Sequence, residues 1–320
     1  MSKNAYSFYN LLQSKRIWVA IMNSLGIALL YGMRACLSVA IVKMTDKVST
    51  NNITECGHQS TTNHSGEFDW NETLQSSVLS AFYYGYAFCQ IPGGILADRI
   101  GGKNTIFITA LGSSIFCIIT PASAYINVYF LIFVRVLEGC IEAPFLQGTS
   151  VILNKWCLDF EKTTFLSIGL SGAYLGTVFS QPVTGYLSSL KLNGGWPLSF
   201  YVFGALGILW SFIWIFLVTE DPQCNNFLSD NEKELLKTKC VGIKTLKPTP
   251  WLKLLTHLPL YAGCAGVVGL SLNFYIVLNM LPTYLSQALG VEITSNGFFN
   301  ALPFVMMYIG INFLALLVIF

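Results

Sequence analysis

The chain has 320 residues, of which 53% are hydrophobic and 11% are charged, and its mean hydropathy is +0.58. Soluble domains average about 25% charged residues, so this composition predicts an all-α integral membrane protein with several spans. The formal net charge of +2 says little about partners, and the lack of a basic cluster argues against binding to nucleic acid.

Eight apolar runs are each long enough for a transmembrane helix. The first run contains Arg34 and is too long for the apolar part of a cleaved signal peptide. An arginine inside a span is costly unless it faces a polar cavity, although it can also snorkel to the interface. The predicted helices, in chain order, are roughly 17–42, 74–96, 104–124, 127–152, 163–188, 198–218, 258–284 and 297–320.

A polar loop at 43–73 separates the first two predicted helices. It contains three N-glycosylation sequons, which begin at Asn52, Asn63 and Asn71. Glycosylation requires a luminal or extracellular location, so these sequons predict that the loop lies outside. The cationic residues agree, since 13 lysines and arginines fall on the side of the N-terminus and 3 on the side of this loop. The positive-inside rule therefore also predicts a cytoplasmic N-terminus.

Predicted helix 4 carries three ionisable residues, Arg135, Glu138 and Glu142. Offsets of three and seven residues return close to the same direction on an α-helix, so the three side chains share one side. Charged groups inside a membrane usually face a water-filled cavity or one another. The sequence therefore predicts that this side lines an internal polar cavity, and a structural ion pair between helices is the alternative.

The link between predicted helices 2 and 3 carries a recognisable motif. The segment Gly94-Ile-Leu-Ala-Asp98-Arg99-Ile-Gly101-Gly102-Lys103 resembles the G-x-x-x-D-R-x-G-x-[RK] signature of the major facilitator superfamily. Its glycines allow the helix ends to approach, and Asp98 is expected to meet cations or a helix N-terminus. We expect Gly94, Asp98, Arg99, Gly101 and Lys103 to act in conformational gating, and a simple positive-inside anchor is the alternative.

A narrower resemblance extends over nearly the whole chain. The segments RACLSVAIV, YYGYAFCQIPGGILADRIGGK, FVRVLEG, SGAYLGTVFSQPVTGYL and FYIVLNMLPTYL are similar to segments of the anion–cation symporters. That family contains sialin, the type I sodium–phosphate cotransporters and the vesicular glutamate transporters. The resemblance implies a major facilitator fold with a complete N-terminal six-helix bundle (1–218), a cytoplasmic linker (219–256) and the first two helices of a second bundle (257–320).

The resemblance also implies residue roles. Arg34, with Tyr31 beside it, matches the substrate-anion arginine, and Tyr275 matches a tyrosine that faces the cavity. Arg135 and Glu142 match residues tied to coupling, and Glu138 stands at an acidic position of sialin-like members. Three departures are visible. Leu270 and Leu79 replace an arginine and a histidine of the vesicular glutamate transporters, which disfavours glutamate transport, and Ala143-Pro144 replaces the usual glycine after Glu142.

The expected function is symport of an anion, either inorganic phosphate or an organic carboxylate such as sialic acid, with H+ or Na+. Arginine suits this role because its planar fork donates two parallel hydrogen bonds to a phosphate or carboxylate. We expect Glu142 to lie near Arg135 and to free this arginine for the substrate when it binds a proton. No catalytic residue, metal or cofactor is expected, and the protein is expected to be a monomer in the plasma membrane or a lysosomal or vesicular membrane.

Three alternatives stay open at this point. The chain can be a truncated membrane protein that does not transport, because it stops at Phe320 inside an apolar run. It can be a glycosylated receptor with several helices, although the Gly94–Lys103 motif argues against this. An intramembrane enzyme is disfavoured, since the sequence shows no histidine pair or serine–histidine dyad on facing helices.

Overall fold

The computed structural model describes residues 16–45, 67–158, 162–190, 195–224, 256–291 and 293–317. The long elements in these ranges are all α-helices. They are α1 (Ile17–Met44), α2 (Glu72–Ile100), α3 (Gly102–Ile126), α4 (Val128–Glu142), α5 (Phe145–Trp156), α6 (Lys162–Ser189), α7 (Trp196–Leu217), α8 (Leu258–Gln287) and α9 (Ile293–Leu317).

The predicted helices are all found, and each differs from its predicted bounds by a few residues. Predicted helix 4 differs most, since it is divided into α4 and α5 at Ala143-Pro144. Proline has no backbone N–H and its ring displaces the preceding turn, so the hydrogen-bond ladder is interrupted there. The break places Glu142 at the last position of α4, in the middle of the span.

Close backbone contacts hold the first bundle together. Gly85 of α2 and Gly139 of α4 pack against each other's helices, and an added Cβ would overlap the carbonyl oxygens of Val136 and Phe82. Gly176 of α6 makes the same kind of contact with Ala28 of α1. Small residues permit such close crossings in membranes.

The helices α1 to α7 form one six-span bundle, and α1 lies inside it. Two apolar clusters fill this bundle, one around Phe165 and Trp214 and the other around Trp196 and Phe200. The helices α8 and α9 pack on one side of the bundle, mainly through contacts of α9 with α6 and of α8 with α1. Much of α8 stays exposed, including Leu270.

Four of the described helices are long and apolar enough to cross a membrane, namely α1, α3, α7 and α8. The arrangement is that of a major facilitator fold with its six-helix first bundle and two helices of the second, as predicted. The linker predicted at 219–256 lies largely outside the described residues, which stop at Cys224 and resume at Thr256.

Candidate functional site

An ion pair between α1 and α4 lies at the centre of the bundle. Both Nε and Nη2 of Arg34 contact Oε1 of Glu142, at 2.8 and 2.7 Å. Arg34 is 7% exposed and Glu142 is 1% exposed, so the pair is almost fully removed from solvent. Both nitrogens meet the same carboxylate oxygen, so Oε2 of Glu142 takes no part in the contact.

Aromatic rings surround the guanidinium of Arg34. Its Cζ lies 4.5 Å from the ring centroid of Tyr31, 4.6 Å from that of Phe82 and 4.7 Å from that of Tyr86. Its Nη1 also donates a hydrogen bond of 3.2 Å to the hydroxyl of Tyr275 in α8. The rings stabilise the cation by cation–π attraction in a site with little water. The bond to Tyr275 links the first bundle to α8.

A second ion pair lies within α4. Nη1 of Arg135 donates to Oε2 of Glu138 at 2.9 Å, and both residues are at most 2% exposed. The guanidinium of Arg135 lies 5.6 Å from the ring centroid of Phe200 in α7, so this pair faces the interior of the first bundle. The two pairs are neighbours, since Glu138 and Glu142 lie about one turn apart in α4.

The partner that we predicted for Glu142 was wrong. Arg135 and Glu142 are seven residues apart, which is about 10.5 Å along an α-helix, whereas Glu138 is one turn from Arg135. Arg135 therefore pairs within its own helix, and Glu142 pairs with Arg34 from α1. We had expected a proton on Glu142 to free Arg135. With the observed pairing, a proton on Glu142 would instead weaken its contact with Arg34.

The two pairs form a neutral cluster of two guanidinium groups and two carboxylates. Several of their polar atoms have no hydrogen-bond partner within the described part of the chain. Glu142 uses only Oε1, so its Oε2 has no partner, and Oε1 of Glu138 has none either. Nε and Nη2 of Arg135 also lack a hydrogen-bond partner among the described residues. The cluster therefore has both acceptors for a proton and donors for an anion.

A cleft of about 220 Å³ lies beside this cluster, between the first bundle and the two following helices. Tyr31 and Tyr275, which hold Arg34 from both sides, line this cleft. Most of its wall is apolar, and its other lining residues include Leu146, Tyr174, Phe274 and Ile311. A small solute in the cleft would thus reach Arg34 by displacing a tyrosine.

Sequence reasoning missed two residues of the site, Phe82 and Tyr86. Neither residue was among the predicted substrate-binding residues. The available signal was the spacing, because residues four apart lie on one face of a helix and the two rings are 5.7 Å apart in a stacked arrangement. Their contact with Arg34 depends on how α1 crosses α2, which spacing alone does not reveal.

The Gly94–Lys103 motif joins α2 to α3 as predicted, but its acidic contact is made by another residue. Gly101 has a φ of 92°, a conformation that glycine adopts readily. Asp98 and Arg99 are exposed, and within the described ranges neither makes an ion pair. Glu220, just after α7, accepts hydrogen bonds from the backbone N–H groups of Gly102 at 3.1 Å and Lys103 at 2.7 Å.

Glu220 also pairs with Lys155 at the end of α5, so one carboxylate joins three helix ends. Asp98 was expected to meet cations or a helix N-terminus, and Glu220 does both instead, because the end of α7 lies beside the start of α3. Burial alone would raise the pKa of Glu220, but the hydrogen bonds from Lys155, Lys103 and Gly102 outweigh it and lower the pKa. The gating role of the motif residues stays a prediction.

Of the three predicted glycosylation sites, only Asn71 lies in the described ranges. It is exposed and precedes α2, where its Oδ1 accepts a hydrogen bond from the N–H of Leu74 at 2.8 Å. Asn71 is thus the N-cap of α2. Asn52 and Asn63 lie outside the described residues, and glycosylation at all three positions stays a prediction.

The chain is similar to several known proteins. The family model of the Major Facilitator Superfamily matches residues 24–319. Sialin of Homo sapiens is 35% identical over 302 residues, which are 91% of this chain and 60% of sialin. A putative inorganic phosphate cotransporter of Drosophila melanogaster is 33% identical over 306 residues, which are 92% of this chain and 58% of that protein.

More distant similarity is found as well. Vesicular glutamate transporter 1 of Bos taurus is 29% identical over 301 residues, covering 92% of this chain and 52% of that protein. The crystal structure of a bacterial homolog to human lysosomal transporter Spinster, in an inward-facing and occupied conformation, superposes with a TM-score of 0.61 at 19% identity. That superposition covers 89% of this chain and 57% of the other. The chain thus spans about 60% of the length of the relatives that it matches.

Proposed function

The chain belongs to the Major Facilitator Superfamily, and from this premise we propose that it binds a small anion beside Arg34 and takes part in its transport across a membrane. The buried cluster of Arg34, Glu142, Arg135 and Glu138 next to an open cleft supports this proposal most directly. Charges inside a membrane are costly, and they are typical of solute and proton pathways. The similarity to sialin and to phosphate cotransporters supports an anion as the solute.

The charge of the cluster suggests how an anion is coupled to a proton. The empty cluster is neutral, so a single anion would leave one uncompensated negative charge in a site with little water. One proton restores neutrality. Oε2 of Glu142 is the natural place for this proton, because it is buried and has no partner among the described residues. A protonated Glu142 holds Arg34 less strongly, and the guanidinium is then free to bind a phosphate or carboxylate.

Under this proposal the anion and the proton move together by alternating access of the two bundles around a site near the membrane midplane. Phosphate and organic carboxylates such as sialic acid both suit a guanidinium, so the solute is proposed as one of these two classes. Proton coupling is favoured over sodium coupling because the four-charge cluster offers an acceptor for a proton. We place the N-terminus and the Glu220 end of the bundle in the cytoplasm.

The test uses purified protein in vesicles with pH and sodium gradients imposed separately. Labelled phosphate and labelled sialic acid are offered in parallel, and uptake and equilibrium binding are both measured. We expect the native chain to bind the anion and Arg34→Lys not to bind it. An ammonium group cannot donate the two parallel hydrogen bonds that a guanidinium donates to a phosphate or carboxylate. Unchanged binding in Arg34→Lys would refute the site.

The coupling step is tested with Glu142→Gln. This variant should lose uptake driven by a pH gradient and keep anion exchange, because its neutral side chain mimics the protonated state. Glu72→Gln, an exposed position at the start of α2, is the matched control and should behave like the native chain. Proton-driven uptake at the native rate in Glu142→Gln would refute the coupling. Binding without any uptake by the native chain would favour the second candidate, an anion-binding membrane protein that does not transport.

A further inference from the structure

Three amide side chains are buried where α6 packs against α9. Gln181 of α6 and Asn300 of α9 have no exposed surface, and Asn296 is 1% exposed. Nδ2 of Asn300 donates to Oδ1 of Asn296, and Nδ2 of Asn296 donates to the backbone oxygen of Pro282 in α8 at 2.8 Å. We call Gln181, Asn296 and Asn300 the amide cluster. It is separate from the charged cluster around Arg34.

The hydrogen bonds of the amide cluster are incomplete. Neither Oε1 nor Nε2 of Gln181 has a partner within the described ranges, and Oδ1 of Asn300 has none either. An amide that leaves water without gaining a partner raises the free energy of the conformation that buries it. The packing of α6 on α9 therefore carries a penalty that an apolar interface of the same shape would not have.

Contacts around the amide cluster show that the helices are pressed together there. Gly297 lies against Gln181, and a Cβ at Gly297 would overlap the carbonyl oxygen of that residue. The next layer consists of Ala35, Leu278 and Phe304, all without exposed surface. This end of the interface, where α6 ends and α9 begins, is thus closed by a polar layer over an apolar one.

The cleft lies on the other side of the apolar layer. In α8 the order is Tyr275 in the cleft, Leu278 in the apolar layer and Pro282 at the amide cluster. The helix α9 runs in the opposite direction and passes the same three layers. Ile311 lies in the cleft, Phe304 in the apolar layer and Asn300 in the amide cluster. The cleft therefore lies on the Glu220 side of the apolar layer, and the amide cluster closes the interface on its other side.

We propose that the amide cluster destabilises the closed conformation at this end of the interface and so favours its opening. When α6 and α9 separate in the opposite access state, water can satisfy the amides, so their missing hydrogen bonds favour opening. The cluster keeps the closed state only marginally stable and lets the molecule return to the state that opens at the amide end. This inference rests on the proposed alternating access of the two bundles.

The test measures the distance between the two helix ends in the full chain. Ser189 and Ser295 are exposed at the amide end of α6 and α9, and spin labels there report separation by double electron–electron resonance. Gln181→Leu keeps the approximate size of the side chain and removes the unpartnered groups. We expect the ratio of open to closed molecules to fall by about tenfold, which is within the range for one unpartnered buried amide. Gln90→Leu in α2, away from this interface, is the matched control and should leave the ratio unchanged.

A second variant acts in the opposite direction and is informative even when the native chain is mostly closed. Gly297→Ala introduces a methyl group against the backbone of Gln181, so the open population should increase. An unchanged ratio on Gln181→Leu, both alone and in the Gly297→Ala background, or an equal shift in Gln90→Leu, would overturn the proposal. The measurement needs no solute. Normal anion uptake without a shift in the distance between the labels would therefore refute the role of the amide cluster and leave the proposed function standing.

Discussion

The contact between Arg34 and Glu142 can be tested quantitatively by a double-mutant cycle. Opposite unit charges about 4 Å apart attract by about 4 kcal/mol at an effective dielectric constant of about 20. Removing one member of a buried pair also leaves the other charge without compensation, at a typical cost of about 3 to 5 kcal/mol. We therefore expect Arg34→Gln and Glu142→Gln each to lower the free energy of unfolding by about this amount.

The double variant should lose much less than the sum of the two single variants, because it leaves no charge unpaired. The expected coupling energy is at least about 1.5 kcal/mol, the lower end of values for close charge pairs. Free energies are obtained from denaturation with sodium dodecyl sulfate in mixed micelles, followed by tryptophan fluorescence. The same cycle for Arg135 and Glu142 is the control, and its coupling should be smaller because the two residues are not bonded to each other.

Additive effects would contradict the pairing. A coupling energy below about 0.5 kcal/mol for Arg34 and Glu142 is what independent sites give, and it would show that the two side chains do not touch. A larger coupling for Arg135 and Glu142 than for Arg34 and Glu142 would restore the pairing first expected from the sequence.

Three further predictions use the same denaturation measurement. Gly176→Ala should lower the free energy of unfolding by about 1 to 3 kcal/mol because the added Cβ meets the backbone of α1. Gly263→Ala is the control, since a Cβ there has nothing within 4 Å, and it should not lower this free energy. Equal losses in the two variants would contradict the packing. Tyr275→Phe should cost about 1.5 to 3 kcal/mol by removing the acceptor of Arg34, and no loss would argue against that bond. The folded-state pKa of Glu220 is lowered, so its stabilisation is complete above the unfolded value of about 4.3 and is lost as pH falls through the folded value. Glu220→Gln should therefore be less stable at neutral pH and lose less on acidification, and an unchanged pH profile would contradict this role.

Much of the fold was legible in the sequence because it depends on local and additive properties. Apolar length alone predicts where the helices lie, and the Gly94–Lys103 motif predicts how α2 is joined to α3. The burial of Arg135, Glu138 and Glu142 on one side of a helix follows from the periodicity of the α-helix. These statements need no knowledge of how one helix crosses another.

The contacts that were missed all depend on such crossings. Sequence offsets show which residues share a helix face, but they do not show that Arg34 crosses to Glu142. Glu220 looked like the start of a polar linker, and only the position of α7 beside α3 makes it a cap. Ala143-Pro144 was noted as a departure from the family pattern, but the division of predicted helix 4 at this point was not predicted.

The exact cancellation of charge in the central cluster has an electrical consequence. When both carboxylates are ionised, this cluster contributes no net charge for the transmembrane voltage to move as the empty bundle reorients. One anion without a proton would carry one elementary charge, which is worth about 2.3 kcal/mol per 100 mV. One anion with one proton would carry none. The charge that crosses the membrane per monovalent anion taken up would therefore give the number of protons that travel with it.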